Sequence, residues 1–427
     1  MSAGERVGVC FPAGFRAAGV TCGIKASGAP DLALLACDGP ASAAGAFTRS
    51  RLAAAPVLLS REHLAGGRAR AVVVNSGNAN ACTGAQGMRD ARSMAETAAR
   101  ALGIEAGEVV VCSTGVIGRP LPMDAIERGI AQAAGELSGD GGASAADAIR
   151  TTDAWAKTST ATCALSGGEV RIGVMGKGAG MIRPDVATMI VTATTDAVVE
   201  PGVLAGLLQG AAGASLNLVS VDGSESTNDA LVVLASGASG VTASGPDAAE
   251  LGRALTSALL DVARQMVADG EGASRFAHYT VTGAADDGEA RTAVRAIGED
   301  ILVRCALHGA DPNWGRMLAR AGTCGVALDP ERIAVWVGPA QLVAGGVEQR
   351  VAQQLAGGDG VGLTLLDGRH ALNRSGARRS RRHDSGPSRS KSTLSRTPQS
   401  GQAQSSGTSL HGVPGGKPSR GCPRSSS

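Results

Sequence analysis

The chain has 427 residues, enough for two or three domains, and 43% of them are hydrophobic, which is ample for a sizeable core. Aromatic residues make up only 2%, so that core must be built from Ala, Val, Leu and Ile. The formal net charge is +2, but residues 371–427 carry eleven basic residues against one acid, which leaves residues 1–370 at −8 and unlike a nucleic-acid-binding protein.

Strands and helices alternate along the first part of the chain. Short apolar runs predict buried strands at Ala71–Val74 and Glu108–Cys112. Between them, apolar residues at helical spacing predict a helix over Gln86–Leu102. A second helix is predicted over Pro122–Leu137, because a proline stands near its start and its apolar residues recur at helical spacing.

The alternation continues to about residue 337. In chain order the predicted elements are strands at Glu169–Met175 and Thr188–Thr194, a helix after Pro201, strands at Ser215–Val221 and Ala230–Ser236, helices at Asp247–Val267 and Glu289–His308, part of a helix within Asn313–Ala321, and a strand at Ile333–Val337. This mixed order of β and α elements predicts a layered α/β fold.

A glycine-rich turn, Lys177–Gly180, runs through Pro184 into an apolar strand that opens with Thr188. A threonine in this position is commonly structural, because β-branched residues suit strands. The alternative is catalytic, since cutting the Ala187–Thr188 bond would give Thr188 a free α-amine with an ordinary pKa of about 7.7–8.0. That amine would take the proton of the hydroxyl beside it and activate a weak nucleophile. The small side chain of Ala187 leaves its carbonyl open to the attack.

The remaining motifs argue against other chemistries. Gly176–Gly180 superficially resembles a phosphate-binding loop, but Gly178 stands where that loop needs Ser or Thr after the lysine. The nine cysteines form no Cys-x-x-Cys pair and no metal-ligand spacing with histidine, so we expect neither a metal site nor a disulfide scaffold. The start of the chain has no signal-peptide pattern and no run of about 18 apolar residues occurs, so we expect a cytoplasmic protein that does not enter a membrane.

Eight separate motifs lie between about Gly14 and about Val337. They are Phe15–Lys25, Asn75–Gly84, Ser113–Gly118, Thr151–Lys157, Lys177–Ile190, Val221–Asp229, Gly270–Phe276 and Asp311–Arg316. Each is weak by itself, but eight in one chain are hard to obtain by chance. Together they resemble the ornithine acetyltransferase family, the self-cleaving N-terminal-threonine enzymes of arginine biosynthesis. The resemblance implies layered mixed sheets with helices, as in DmpA and the ornithine acetyltransferases.

The resemblance implies catalytic roles for three residues. Thr188 would be the nucleophile, released by self-cleavage between Ala187 and Thr188. Thr114 and Gly115 would form the oxyanion hole, the pair of donors that stabilises the negative oxygen of a tetrahedral intermediate. From the residues alone, the commoner interpretation of the segment around Thr114 is an ordinary strand-to-loop turn with a serine–threonine cap.

The resemblance also implies substrate-binding roles. Lys177 would bind a substrate carboxylate, Glu271 would bind an amine of ornithine, and Thr188 would contact the acyl group. The family has a further threonine where this chain has Ala154, so a hydroxyl contact is lost there unless Thr152 or the backbone replaces it. Without the resemblance, Lys177 and Glu271 would be read as solvated charges in loops.

The reaction implied by the resemblance has two steps. N2-acetyl-ornithine gives its acetyl group to the threonine, ornithine leaves, and glutamate then takes the acetyl group. No cofactor and no metal are expected, and acetyl-CoA stays open as a second donor. The expected partners are these small molecules and the chain's own fragments, as a heterotetramer of two α and two β chains, without nucleic acid. The alternative enzyme is an N-terminal-nucleophile aminopeptidase or amidase, in which water discharges the acyl-threonine.

The chain is divided into predicted regions at the predicted cleavage point. Residues 1–187 form the α chain region, residues 188–365 the β chain region, and residues 366–427 an anomalous basic tail. The tail is rich in Ser, Arg, Gly and Pro and has no Phe, Tyr, Trp or Ile, so we expect it to be disordered. It stands where the family has a strand-rich ending whose Asn and Thr bind substrate, and a reading-frame shift would explain it. An inactive homologue is therefore a further alternative.

Overall fold

The computed structural model describes residues 6–183 and 189–349 with their side chains, and residues 361–367 and 408–411 as backbone strands. The chain divides into two compact units, Met1–Ala273 and Ser274–Ser427. Each unit has its own sheet and its own hydrophobic core, so each is described by itself.

A mixed sheet of eight strands forms the centre of the first unit. Its strands are β1 (Phe15–Val20), β2 (Leu32–Phe47), β3 (Arg68–Asn78), β4 (Val109–Val116), β5 (Lys157–Leu165), β6 (Gly168–Lys177), β7 (Ile190–Thr195) and β8 (Ala230–Ala235). Their order across the sheet is β4-β3-β2-β8-β7-β6-β5, with β1 paired to β2. β3 runs parallel to β4 and β7 parallel to β8, while the other pairs are antiparallel.

Both faces of this sheet are buried. The helices of the unit are α1 (Ala55–His63), α2 (Gly84–Leu102), α3 (Met123–Gly135), α4 (Gly142–Ala148), α5 (Pro201–Gly213) and α6 (Pro246–Ala268). Along β8, Leu231 and Val233 join the core formed with α5 and α6, whereas Val232 and Leu234 join the core formed with α4. Successive side chains of a strand point to opposite faces, so this alternation shows a sheet between two layers.

The second unit is a smaller sheet packed with helices. Its elements are β9 (Phe276–Thr282), α7 (Asp287–Glu299), α8 (Ile301–His308), α9 (Trp314–Ala321), β10 (Ile333–Val337), β11 (Ala340–Ala344), β12 (Val347–Glu348), β13 (Val361–Asp367) and β14 (Thr408–His411). The strand order is β12-β11-β10-β13-β9-β14. Tyr279, Val294 and Val335 lie in its core. The layered α/β fold predicted from the sequence is therefore confirmed in both units.

Two predicted elements are wrong. Ser215–Val221 was expected to be a strand, but Leu216–Leu218 is a short 3-10 helix, because the Ser215 hydroxyl donates to the Ala211 carbonyl and keeps the chain turning after α5. Glu289–His308 was expected to be one helix, but it is α7 and α8. The break is at Asp300, whose carboxylate accepts the backbone N–H groups of Leu302 and Val303 and caps α8.

The predicted regions 1–187 and 188–365 are divided at the predicted cleavage point. The two compact units of the structure are divided at a different residue. The boundary between units is at residue 273, and the strands on either side of residue 188 share one sheet. Part of the tail expected to be disordered is described as structure, since residues 408–411 pair antiparallel with β9. An edge strand offers unpaired backbone groups to any extended segment, which explains the pairing. The rest of residues 368–427 lies outside the described residues.

Candidate active site

The predicted cleavage point directly precedes the central strand β7. Ala187 and Thr188 lie outside the described residues, and Met189 is the first described residue after them. Ile190, the first residue of β7, pairs with Lys177 at the end of β6 and with Ala230 at the start of β8. The chain next to the predicted nucleophile therefore runs between these two strand ends.

Lys177 brings a buried cation to this point of the sheet. Its residue is only 4% exposed, so the alternative of a solvated turn lysine is wrong. Burial lowers the pKa of its amine, and the carboxylates of Asp153, Asp229 and Glu271 act in the opposite direction. Its Nζ lies 4.0 Å from Asp153 Oδ2. Lys177 is therefore a buried cation that makes no direct hydrogen bond to Asp153. Such a cation is consistent with the prediction that Lys177 binds a substrate carboxylate.

Lys157 forms the centre of a buried ion cluster beside Lys177. Its side chain is fully buried, and Nζ lies 2.6 Å from Asp153 Oδ1 and 2.6 Å from Asp269 Oδ2. Asp153 Oδ1 also accepts the backbone N–H of Gly178 at 2.7 Å. Burial acts to raise the pKa of Asp153, but the charges of Lys177 and Lys157 outweigh it and lower that pKa to about 2. The cluster therefore ties the segment 151–157 to the glycine turn.

This cluster was not predicted from the sequence. Asp153 and Lys157 are the two charged residues of the motif Thr151–Lys157, and neither was predicted to have a role. Asp153 and Lys157 are four residues apart and are the only charged residues of the motif, and this spacing could have indicated an ion pair. The contact with Asp269 could not be predicted in this way, because Asp269 lies at the end of α6, 112 residues after Lys157.

Glu271 meets the glycine turn directly. Its backbone N–H donates to the carbonyl of Ala179 at 2.6 Å. A Cβ at Gly180 would lie 2.5 Å from the carboxyl carbon of Glu271, so a larger residue there would displace this carboxylate. The carboxylate of Glu271 also acts on the pKa of Lys177. The two residues predicted to bind substrate are therefore neighbours.

Ala154 and Thr152 each donate a hydrogen bond to a carboxylate, Ala154 to Asp269 and Thr152 to Glu271. The backbone N–H of Ala154 donates to Asp269 Oδ2 at 2.9 Å, and the Thr152 hydroxyl donates to Glu271 Oε1 at 2.6 Å. A hydroxyl is therefore present beside Glu271, although position 154 lacks one. This arrangement fits the expectation that Thr152 or the backbone replaces the missing contact.

Thr114 and Gly115 lie at the end of β4, opposite Ser76 and Gly77 of β3. Gly115 has φ +131°, and a Cβ there would lie 2.3 Å from the carbonyl carbon of Gly77. The close approach of the two strands therefore requires glycine at this position. Thr114 is only 9% exposed, whereas Gly115 is exposed at the strand end.

Two consecutive residues join this strand end to the start of β7. The Asn228 side-chain amide donates to the carbonyl of Ser113 at 2.9 Å, next to Thr114. Asp229 Oδ1 accepts the backbone N–H of Met189 at 2.9 Å. Both residues belong to the motif Val221–Asp229, for which the sequence predicted no role. The structure therefore brings the oxyanion candidates and Lys177 to the chain around Met189, while Glu271 lies against the glycine turn.

The described residues contain no group of three or more His, Cys, Asp or Glu side chains that could hold a metal ion. The eight described cysteines are free thiols. Burial raises the pKa of the Cys112 thiol to about 12, so this cysteine is not an activated nucleophile. None of the described helices is both long enough and apolar enough to cross a membrane.

Known proteins resemble this chain over most of its length. A model of the ArgJ family matches residues 16–359. The arginine biosynthesis bifunctional protein ArgJ of Symbiobacterium thermophilum is 47% identical over 344 residues, which cover 79% of this chain and 86% of that protein. The protein of the same description from Thermobifida fusca is 48% identical over 339 residues, covering 79% and 87%. The solved structure of ornithine acetyltransferase complexed with ornithine from Mycobacterium tuberculosis is 45% identical, covers 42% of this chain and 96% of that one, and has a TM-score of 0.37. The chain therefore belongs to the ArgJ family, whose activity is acetyl transfer in arginine biosynthesis.

Proposed function

We propose that this chain moves the acetyl group of N2-acetyl-ornithine to glutamate through an acetyl ester on Thr188. The observation that carries the proposal is the meeting of three groups at the start of β7. Lys177 pairs with Ile190, Asn228 and Asp229 connect Ser113 with Met189, and Glu271 contacts the glycine turn. A cation and two candidate oxyanion donors thus lie close to the start of β7, and a carboxylate lies against the glycine turn that follows the cation.

Self-cleavage prepares the nucleophile. The Thr188 hydroxyl attacks the carbonyl carbon of Ala187, the carbon–nitrogen bond breaks, and the hydroxyl proton ends on the released amine. Water then hydrolyses the Ala187 ester, which leaves a carboxylate on Ala187 and a free hydroxyl on Thr188. The new α-amine is the general base for the later steps, as in other N-terminal threonine nucleophiles.

Acetyl transfer then uses the same hydroxyl twice. It attacks the acetyl carbonyl of the donor while the α-amine takes its proton, and the negative oxygen accepts hydrogen bonds from Thr114 and Gly115. The proton passes to the amine of ornithine as the carbon–nitrogen bond breaks. The amine of glutamate next attacks the acetyl-threonine ester, and the threonine hydroxyl is restored. This is a ping-pong reaction through one covalent intermediate.

Charge complementarity assigns the substrate contacts. Lys177 binds the α-carboxylate of the amino acids, because it is a buried cation at the end of β6. Glu271 is exposed and binds the side-chain amine of ornithine, with Thr152 fixing one carboxylate oxygen. The backbone N–H of Ala154 donates to Asp269, so it holds the segment in place and is not a donor to the substrate.

The test of the proposal is acetyl transfer itself. Purified protein should convert N2-acetyl-ornithine and glutamate into ornithine and N-acetylglutamate, with parallel lines in double-reciprocal plots as the mark of ping-pong kinetics. A second acetyl donor, acetyl-CoA, is assayed in the same way in place of acetyl-ornithine. Release of free acetate without N-acetylglutamate would instead support the amidase alternative, and a chain that forms neither product would support the inactive homologue.

Thr114→Ala tests the oxyanion hole. We expect turnover to fall by about 10²-fold or more, with little change in the binding of acetyl-ornithine, because an oxyanion donor acts mainly in the transition state. Steady-state kinetics with acetyl-ornithine as the varied substrate measures both quantities. An effect confined to KM would contradict the assigned role.

The proposal extends to assembly and compartment. The two fragments remain together, and we propose a heterotetramer of two α and two β chains, which sedimentation of the cleaved enzyme measures. A cytoplasmic location is proposed from the eight free thiols, which a reducing compartment preserves. No cofactor is assigned, and the small molecules are substrates.

A further inference from the structure

A cavity of about 570 Å³ lies in the first unit, lined by residues of β2, of α1 and the turn after it, and of α5. Small-molecule sites in proteins have volumes of roughly 300–1,000 Å³, so the cavity is large enough for a metabolite. None of the residues assigned to the candidate active site lines it. The cavity is therefore a second place in this unit where a small molecule could bind.

The cavity carries positive charge. Arg49 and Arg61 line it, and none of its lining residues is acidic. Arg61 donates to the carbonyl of Thr48, and its guanidinium lies over the Phe47 ring, 5.8 Å from the ring centre. These contacts fix the guanidinium and leave most of its five N–H groups for a ligand. Arg49 is exposed and makes no hydrogen bond or ion pair to any residue that the structure describes.

One wall of the cavity is an open edge of β2. The backbone N–H of Ala43 donates to the carbonyl of Gly67 at 2.8 Å, on the side of β2 that faces β3. Alternate residues of an antiparallel strand point their backbone groups to the same side, so those of Gly45 and Phe47 face this side too. Both residues line the cavity, and the pairing of β2 with β3 ends before them, at Ser42. The edge therefore offers N–H donors and C=O acceptors to a bound molecule.

These two features select the chemistry of a ligand. Guanidinium groups bind carboxylates through charge-assisted, often bidentate hydrogen bonds, so two arginines favour a molecule with two carboxylates. A strand edge favours a secondary amide, because the amide supplies one donor and one acceptor, as an added strand does. An N-acyl dicarboxylic amino acid has both, whereas an amine such as ornithine would meet two like charges.

We propose that this cavity is a second binding site for an N-acyl dicarboxylic amino acid, with Arg49 and Arg61 on its carboxylates and the edge of β2 on its amide. N-acetylglutamate, the product of the proposed function, belongs to this class. The choice of this molecule as the ligand rests on the proposed function, whereas the charge and the open edge of the cavity do not.

The test is a calorimetric titration of the full-length Thr188→Ala chain with N-acetylglutamate. This chain cannot form the acetyl ester, so the heat records binding alone. Adding Arg49→Gln should raise the Kd of the cavity at least about tenfold, because charge-assisted hydrogen bonds are lost. Arg49 has no partner among the described residues, so we expect this variant to fold. Arg61→Gln should weaken binding by a similar factor and serves as the second variant.

Arg92→Gln is the matched control. Arg92 lies outside the cavity with 56% of its side chain exposed, and it pairs with Glu62, the neighbour of Arg61, at 3.7 Å. Its loss removes one positive charge near the cavity and should leave the Kd unchanged. Glutarate is the matched ligand, since it has two carboxylates and no amide, and it should bind at least about tenfold more weakly than N-acetylglutamate.

The outcomes separate this site from the proposed function. Binding that Lys177→Met abolishes and Arg49→Gln leaves unchanged would place the ligand in the candidate active site and overturn the second site. An equal loss in Arg92→Gln, equal binding of glutarate, or no binding at all would overturn it as well. Wild-type protein that transfers no acetyl group, in a chain whose cavity still binds N-acetylglutamate, would refute the proposed function and leave the binding site.

Discussion

Thr188→Ala is expected to remain one uncut chain and to lose acetyl transfer. The wild-type protein should instead consist of two fragments, one ending at Ala187 and one beginning at Thr188. The substitution removes the hydroxyl that attacks the preceding carbonyl and, later, the acetyl donor. Loss of a covalent nucleophile lowers turnover by on the order of 10⁴- to 10⁶-fold. Intact-mass measurement and N-terminal sequencing follow the cleavage, and the acetyl-ornithine assay follows the activity.

Thr192→Ala provides the control on the same strand. Thr192 is buried in β7, and its hydroxyl has no hydrogen-bond partner among the residues that the structure describes. We expect this variant to be cut and active. A second amino terminus at residue 188 in the Thr188→Ala protein would refute the hydroxyl as the attacking group.

Replacing Lys157 should have the largest effect on stability. Lys157→Met removes the cation that contacts both Asp153 and Asp269 and leaves two buried carboxylates without it. Breaking a buried ion pair by removing one partner costs about 3–5 kcal/mol. The free energy of unfolding, measured by urea denaturation and circular dichroism, should fall by that amount.

Arg253→Met is the surface counterpart of this substitution. Arg253 pairs with Glu250 on the exposed side of α6, with 67% and 45% of the side chains accessible. Exposed ion pairs contribute about 0–1 kcal/mol, so this variant should unfold close to the wild type. Equal losses in the two variants would contradict a special role for the buried cluster.

The sequence predicts the fold where local patterns suffice. The buried strands β3 and β4 and the helices α2, α3 and α6 all follow from apolar spacing. The prediction fails at Ser215–Val221, because alternating apolar residues also fit a short 3-10 helix that buries one side. It also fails at Asp300, because the apolar spacing predicts one helix, whereas the Asp300 carboxylate caps a second helix that begins there.

Some residues of the candidate site could be predicted from the sequence, and others could not. The family resemblance assigns roles to Thr188, Lys177 and Glu271, so these residues are identified from the sequence. Lys157 and Asp229 depend on which strands become neighbours. Lys157 needs a partner 112 residues away, and Asp229 reaches Met189 only because β8 pairs with β7 in the centre of the sheet. Composition and periodicity contain no information about these long-range pairings.

The sheet order has a consequence for how this enzyme is made. Cleavage before β7 would assign β1 to β6 to one fragment and β7 and β8 to the other, yet β7 and β8 lie between β2 and β6. These two strands of the second fragment would therefore have hydrogen-bonded strands of the first fragment on both sides. The uncut chain assembles this sheet within one molecule, whereas denatured fragments would have to find each other in solution, at a rate that depends on concentration. Maturation would thus act as a one-way step, and the finished enzyme would owe its persistence to slow unfolding more than to any capacity to refold.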